Sequence, residues 1–148
     1  MIGFDQGREG MPNMSELTSV HHLAITVTDV DRSVPWYIRV LGLEEYARRE
    51  ESDTGVRKVF LRSVNHSLVV MLVQHPDTEL RVFGERRIGL DHVAFKADNH
   101  KALLEWEQKL TEYGVSYVPN RPSLTLIGSR VLVLHDPDGI QVEIWADE

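Results

Sequence analysis

Two histidines and one glutamate have the residue types and positions that suit metal chemistry. His22 and His92 each stand third in two similar segments, residues 20–29 and 90–99, and Glu143 interrupts an otherwise apolar run near the end of the chain. A buried carboxylate is costly unless it has a partner, and a metal ion is one such partner. The alternative interpretation is an edge strand whose glutamate points into water, with histidines that serve only structure.

Alternation of apolar residues indicates which way these side chains point. Successive side chains of a strand face opposite sides, so His22 and His92 fall on the face opposite the apolar set of their own strand. Glu143 shares its predicted face with Gln141 and Trp145, and Trp145 is a candidate for stacking on a substrate or for packing. The apolar residues that define the buried face of the two histidine segments are Leu23, Ile25, Val27, Val93 and Phe95.

The two histidine segments begin two copies of one longer pattern, offset by 70 residues between His22 and His92. In each copy a helical stretch follows and ends at a glycine, Gly42 or Gly114, where a C-terminal cap belongs. Three strand-like runs come next, so the chain is predicted to fold as βαβββ twice. Two concave half-sheets facing each other would line one cavity with both histidines and Glu143. The predicted runs are residues 43–48, 56–62 and 67–75, then 115–119, 129–135 and 140–146.

Taken together, these motifs resemble those of the glyoxalase / bleomycin-resistance / extradiol-dioxygenase superfamily, the vicinal-oxygen-chelate fold. The resemblance covers roughly residues 18–147. It implies an α+β fold in which two βαβββ modules form a curved mixed sheet around a central cavity. Members include lyases, isomerases, dioxygenases, thiol transferases and metal-free drug-binding proteins, so the fold does not settle the function. The matching stretches are residues 22–29, 33–37, 41–43, 89–95 and 136–143.

Three parts of the chain are predicted from this pattern. Residues 1–17 are expected to form a flexible N-terminal tail, residues 18–82 the first module, and residues 83–148 a linker and the second module. The loop at 120–128 is expected to reach over the cavity. We expect the two modules to make one domain.

A fourth ligand position departs from part of the family. In glyoxalase-like and epimerase-like members, the last strand of the first half carries a Glu, Gln or His that matches Glu143. Here the strand pattern pairs Glu143 with Met71, and the residue spacing pairs it with Val73. Neither side chain suits a hard divalent ion. The remaining set of two histidines and one carboxylate favours Fe(II), with Zn, Ni, Mn or Co as further candidates.

His75 is the candidate catalytic residue. It shares parity with Met71 and Val73 and lies at the predicted strand end, before Pro76. It is a candidate for a displaced fourth ligand or for an acid or base beside the metal, as in extradiol dioxygenases, where a catalytic histidine precedes the second ligand strand. A solvent-exposed turn histidine is the alternative.

Composition excludes several function classes. The 148 residues hold 16 basic and 23 acidic side chains, giving a formal charge of −7, and no basic stripe occurs. Nucleic acid and anionic membranes are therefore not expected as partners. Cysteine is absent, which excludes disulfides and thiolate ligands. The first fifteen residues have no apolar signal-peptide core, so a cytoplasmic location is expected.

The leading hypothesis is a divalent-metal-dependent enzyme acting on a small oxygen-rich substrate, with an Fe(II) dioxygenase as the best guess. A metal-free binding or antibiotic-resistance protein is the main alternative, and a glyoxalase-type lyase or isomerase is another. The resemblance also implies a homodimer, which would cover the exposed strand edges of small open sheets. The cavity could be completed within one chain or across two.

Overall fold

A computed structural model describes residues 17–78 and 80–148 of the chain. Residues 1–16, most of the predicted tail, lie outside the described residues. The α+β class and the repeated βαβββ order are confirmed. The first module contains β1 (Leu23–Thr26), α1 (Val30–Leu41), β2 (Glu44–Glu50), β3 (Arg57–Arg62) and β4 (Val69–Gln74). The second contains β5 (Val93–Lys96), α2 (His100–Glu112), β6 (Tyr117–Pro122), β7 (Ser129–His135) and β8 (Gln141–Asp147).

Both modules have the same sheet topology. The first sheet has the order β1-β4-β3-β2 and the second has the order β5-β8-β7-β6. The first strand of each module, β1 or β5, lies at an edge of its sheet and pairs in parallel with the last strand of that module, β4 or β8. The remaining pairs are antiparallel. Among the described residues, no strand of one sheet pairs with a strand of the other. The two sheets are therefore not closed into one barrel.

Local signals fix the ends of the helices. Asp29 caps α1, since its carboxylate accepts a hydrogen bond from the backbone N–H of Asp31 at 2.8 Å. Asn99 caps α2 in the same way through the N–H of Ala102 at 3.1 Å. Gly42 ends α1 with φ of 69°, a left-handed conformation in which an L side chain is strained. These caps set where β1 and β5 stop and the helices begin.

Each helix covers one face of its own sheet, α1 on the first and α2 on the second. The two modules also pack together on these helix-covered faces. Val93 and Ile140 of the second module belong to the buried cluster of the first, and Trp36 and Leu41 of α1 contact the buried clusters of both modules. We call the opposite side of each sheet its open face. Open-face residues are Ala24, Thr26, Phe60, Arg62 and Met71 in the first sheet, and Ala94, Lys96, Val133, Glu143 and Trp145 in the second.

The turn before β8 joins the two modules through hydrogen bonds. The carboxylate of Asp138 accepts from the backbone N–H of Thr28 at 3.0 Å and from its hydroxyl at 2.6 Å. It also pairs with the guanidinium of Arg32 on α1. Gly139 in the same turn has φ of 82°, and a Cβ there would lie 3.1 Å from Val82, in the linker that runs between β4 and β5 in the structure. The sequence 136–139 therefore holds the first module, the linker and β8 together.

Beside this turn lies a buried polar pair. The Tyr37 hydroxyl of α1 donates to the Asp136 carboxylate at 2.9 Å. Asp136 also accepts from the backbone N–H groups of Asp138 at 2.9 Å and Ile140 at 2.8 Å. Burial raises the pKa of Asp136 above its ordinary value, and its three hydrogen bonds partly oppose this rise. Burial and the charge of Asp136 raise the pKa of Tyr37, so its hydroxyl stays protonated and donates.

We expect Asp136→Ala to lower the free energy of unfolding by about 3 kcal/mol or more, because three donors lose their acceptor. Asp136→Asn is the matched control, since it keeps the shape and removes the titration. A raised folded pKa means that the native state holds this proton more tightly than the unfolded chain. The wild-type contribution is thus largest below the ordinary aspartate pKa of about 3.9 and declines as pH rises through the raised value. Urea unfolding between acidic and neutral pH measures this.

The stability of the wild type relative to Asp136→Asn should consequently fall as pH rises across that window. A difference that stays constant with pH would show that Asp136 titrates alike in the folded and unfolded chain. An unchanged stability of Asp136→Ala would show that its three donors find other acceptors.

No helix in the described part of the chain is long and apolar enough to cross a membrane.

Candidate metal centre

Glu143 lies in the middle of β8, on the open face of the second sheet, and is 8% exposed. Its register partners are Val133 on β7 and Ala94 on β5. One carboxylate oxygen accepts from the Gln141 amide at 2.8 Å, and the other accepts from the indole N–H of Trp145 at 2.5 Å. The small side chain of Ala94 leaves space beside the carboxylate. The partners that the sequence predicts for this glutamate are therefore two neutral donors. They fix the orientation of the carboxylate, but they bring no positive charge to balance it.

His92 is next to Glu143 and directly precedes β5. Its Nε2 lies 3.5 Å from Glu143 Oε2, and its Nδ1 lies 2.6 Å from Asp91 Oδ1. Because an ionised carboxylate only accepts, the short Asp91 contact assigns a proton to Nδ1. In the neutral ring the Nε2 lone pair then faces the Glu143 carboxylate. Two electron-pair donors at this distance repel each other unless a second proton or a metal ion lies between them.

These two residues line a cavity of about 750 Å³ on the open face of the second sheet. Its floor is formed by β5 and β8, and Thr125 and Leu126 of the loop between β6 and β7 also line it. The loop predicted at residues 120–128 is shorter in the structure, because β6 extends to Pro122, and its role as a cover for the cavity stays a prediction. At the rim, Lys96 pairs with Asp147 at 2.7 Å; this contact raises the pKa of Lys96 and lowers that of Asp147.

In both copies of the repeat, the residue before the histidine can form a hydrogen bond with the imidazole ring. Asp91 precedes His92, and at the 70-residue offset His21 precedes His22. The Nδ1 atoms of His21 and His22 lie 2.8 Å apart, so one of them donates to the other. When His22 is the donor, its Nε2 keeps the lone pair that a metal requires, as in His92. Asp91 and His21 are functional candidates that the alternating strand pattern did not reveal. The 70-residue repeat places them at equivalent positions and could have identified both.

His22 itself lies away from the other two candidate ligands. It is exposed, precedes β1 directly, and is not among the residues that line the cavity of His92 and Glu143. Within residues 17–78 and 80–148, no three His, Cys, Asp or Glu side chains are grouped closely enough to hold a metal. The three predicted ligands are therefore not brought together within one chain, and their convergence across two copies stays a prediction. The physical reason is that the modules pack through their helix-covered faces.

The remaining candidate, His75, directly follows β4 and is exposed. Its backbone N–H donates to the Thr78 hydroxyl at 3.0 Å, and that hydroxyl donates to the His75 carbonyl at 2.8 Å. Glu51 of the same module has a lowered pKa, chiefly because Lys58 and then Thr54 donate hydrogen bonds to its carboxylate. In one chain His75 does not reach the cavity of Glu143.

Met71 and Val73 lie on β4, where the fourth ligand of some relatives would stand. Met71 is partly exposed on the open face between Ala24 and Phe60, and Val73 is buried. As the sequence predicts, neither position therefore offers a side chain that suits a hard divalent ion.

Known proteins of similar sequence and structure cover almost the whole chain. The family model described as "Glyoxalase/Bleomycin resistance protein/Dioxygenase superfamily" matches residues 19–144. The uncharacterized protein YwkD of Bacillus subtilis is 32% identical over 130 residues, which are 87% of this chain and 97% of that protein. Glyoxylase I 4 of Arabidopsis thaliana is 28% identical over 139 residues, 93% of this chain and 75% of that protein.

Among solved structures, a glyoxylase/bleomycin resistance protein/dioxygenase domain from Frankia sp. EAN1pec superposes with a TM-score of 0.79. It is 28% identical in sequence, and the alignment covers 90% of this chain and all of that one.

Proposed function

Because the chain belongs to the glyoxalase/bleomycin resistance protein/dioxygenase superfamily, we propose that it is a divalent-metal-dependent enzyme acting on a small oxygen-rich molecule. The metal ligands are His92 and Glu143 of one copy and His22 of a second copy. The observation that carries the proposal is the 3.5 Å approach of His92 Nε2 to Glu143 Oε2, with the far side of His92 held by Asp91. A metal ion bound between them would be held by the lone pairs of both donors.

A second copy is proposed because the first sheet has an open face of its own. His22 lies on that face beside Ala24 and Thr26. The second module of the same chain packs against the opposite, helix-covered face of the first sheet. A two-fold pair would lay the first sheet of one copy over the second sheet of the other, twice by symmetry. Exposed apolar side chains in the linker and the cavity loop support such a contact. They are Leu80, Val82, Ile88, Leu90, Leu124, Leu126 and Ile127.

The ligand set favours Fe(II). Two neutral imidazoles and one carboxylate leave open positions, and this set is typical of non-haem iron oxygenases. Held there, the ion would polarise two adjacent oxygens of a substrate and, as Fe(II), allow reaction with dioxygen. Among the protein's own groups, Gln141 and Trp145 orient the carboxylate, and Asp91 orients the ring of His92. Together they fix where two substrate oxygens can lie.

We further propose that His75 acts as an acid or base once the two copies meet. It follows β4 with the parity of Met71 and Val73. The parallel register pairs Leu23 with Val70 and Thr26 with Val73, so His75 lies at the opposite end of β4 from the level of His22, and the second copy would have to supply the metal beside it. His75→Ala should then keep its metal and lose turnover. Equal turnover would return His75 to a turn residue that hydrogen-bonds with Thr78.

The test of the proposed function is metal content and oxygen uptake of protein purified without chelator. We expect bound metal, loss of that metal in His22→Ala, and dioxygen consumption with Fe(II) and a member of a panel of catechols and related diols. His66→Ala is the matched control, since this exposed histidine lies in a turn of the first module. Metal-dependent isomerisation of a hemithioacetal without oxygen uptake would assign a glyoxalase-type reaction instead. No metal binding with any divalent salt would favour a metal-free binding protein.

A further inference from the structure

The open face of the first sheet carries an arginine that has no carboxylate partner within residues 17–78 and 80–148. Arg62, at the end of β3, is partly buried, and among the described residues its Nε is buried with no hydrogen-bond acceptor. Its guanidinium lies 5.2 Å from the ring centre of Tyr46. The neighbouring cations of the same strand differ, because Arg57 pairs with Asp31 and Lys58 with Glu51. An unpaired guanidinium on a partly apolar face is costly unless an anion joins it.

Strand register places Arg62 in line with His22. Arg62 pairs with Val69 across β3 and β4, and Leu23 pairs with Val70 across β1 and β4. His22, one residue before Leu23, therefore continues opposite Val69, two strand spacings from Arg62. That separation is about 10 Å between backbones, with both side chains on the open face.

The surroundings of Arg62 suit a planar acid. The rings of Tyr46 and Phe60 lie 6.0 Å apart beside it, and Phe60 is next to Met71 in the register. An arginine fork binds carboxylate or phosphate oxygens through two parallel hydrogen bonds, which a lysine cannot match. The aromatic pair offers a surface for an apolar or planar part of the same molecule.

We propose that Arg62 binds an acid group of the substrate, a carboxylate, phosphate or phosphonate, and that other oxygens of the same substrate molecule reach the metal site. This inference rests on the proposed function for the role of His22 as a ligand. It narrows the substrate class from oxygen-rich molecules in general to anionic ones. Arg62 is therefore a specificity-determining residue.

Binding of small aromatic probes to metal-free full-length protein tests the inference independently of the metal. Benzoate and phenylphosphonate are the anionic probes and benzamide is the neutral one, each titrated by calorimetry in the presence of a chelator. We expect benzoate or phenylphosphonate to bind more tightly than benzamide. Arg62→Met should weaken the anions by about tenfold to a hundredfold, the effect of losing a charge-assisted pair, and leave benzamide unchanged. Arg62→Lys should recover part of the loss.

Arg49→Met is the matched control, because Arg49 is exposed on the adjacent β2 and bonds only a backbone carbonyl among the described contacts. It should bind the anions like the wild type. Thermal unfolding of Arg62→Met checks the fold. A lower melting temperature with unchanged anion affinity would make Arg62 a structural residue and overturn the inference, as would equal binding of benzoate and benzamide. Arg62-dependent anion binding by a protein that takes no metal would support the inference and overturn the metal-dependent function.

Discussion

Glu143→Ala is expected to lower divalent-metal affinity by more than about 100-fold, since even residues that only orient a ligand cost 10- to 100-fold when changed. Glu143 is the sole carboxylate on the cavity floor that faces His92 Nε2 among the described residues. Its removal leaves the imidazole of His92 with no negatively charged co-ligand at that point. Metal titration of purified protein, read by elemental analysis and calorimetry, measures the loss.

Glu105→Ala is the control for a general charge effect, because Glu105 is an exposed helix residue that pairs with Lys101. It should retain full metal binding. Circular dichroism of Glu143→Ala separates lost metal binding from unfolding. If the folded variant bound metal as tightly as the wild type, the ion would have to be held elsewhere and the site would be wrong.

Pairs of differently tagged chains should show that each metal site draws on two copies. A hybrid of His22→Ala with Glu143→Ala keeps one complete site if ligands come from both copies, since the intact His22 and the intact Glu143 then meet. It should bind half the wild-type metal, although each variant alone binds none. Double-affinity purification followed by metal analysis gives the stoichiometry.

The reverse hybrid pairs wild type with a chain that carries both substitutions. With shared sites both of its sites are broken, and no metal should bind. If all ligands come from one chain, the pattern inverts: the reverse hybrid keeps one site and the first hybrid has none. A monomer in solution at every concentration would also contradict the shared site.

The repeated βαβββ order was readable from the sequence because its signals are local. Alternating apolar residues around His22 and His92, together with Gly42 at the end of α1, gave the strands and helix ends to within a few residues. The face of Glu143 followed from the same period-two pattern. Ala94 and Val133 flank it in the observed register, as an open-face position requires.

What the sequence could not give was the arrangement of the two sheets. Parity says which side of a strand is apolar, but it does not say whether two modules meet through helices or through open faces. The shared packing of Trp36 and Leu41 decided that question, and it separated His22 from Glu143 in one chain. Arg62 was missed for a related reason, since its lack of a carboxylate partner in the described part of the chain depends on cross-strand neighbours far apart in sequence.

The hydrogen bonds from Thr28 to Asp138 have a consequence for how the duplicated chain can be divided. The carboxylate of Asp138 in the second half accepts both hydrogen bonds from Thr28 in the first half, 110 positions earlier in the chain. Fragments made by cutting the linker would lose these hydrogen bonds and expose the apolar surface that the halves share. We therefore expect that neither half folds as an autonomous unit, although the two share one topology, and that truncation within either half removes a support of the other.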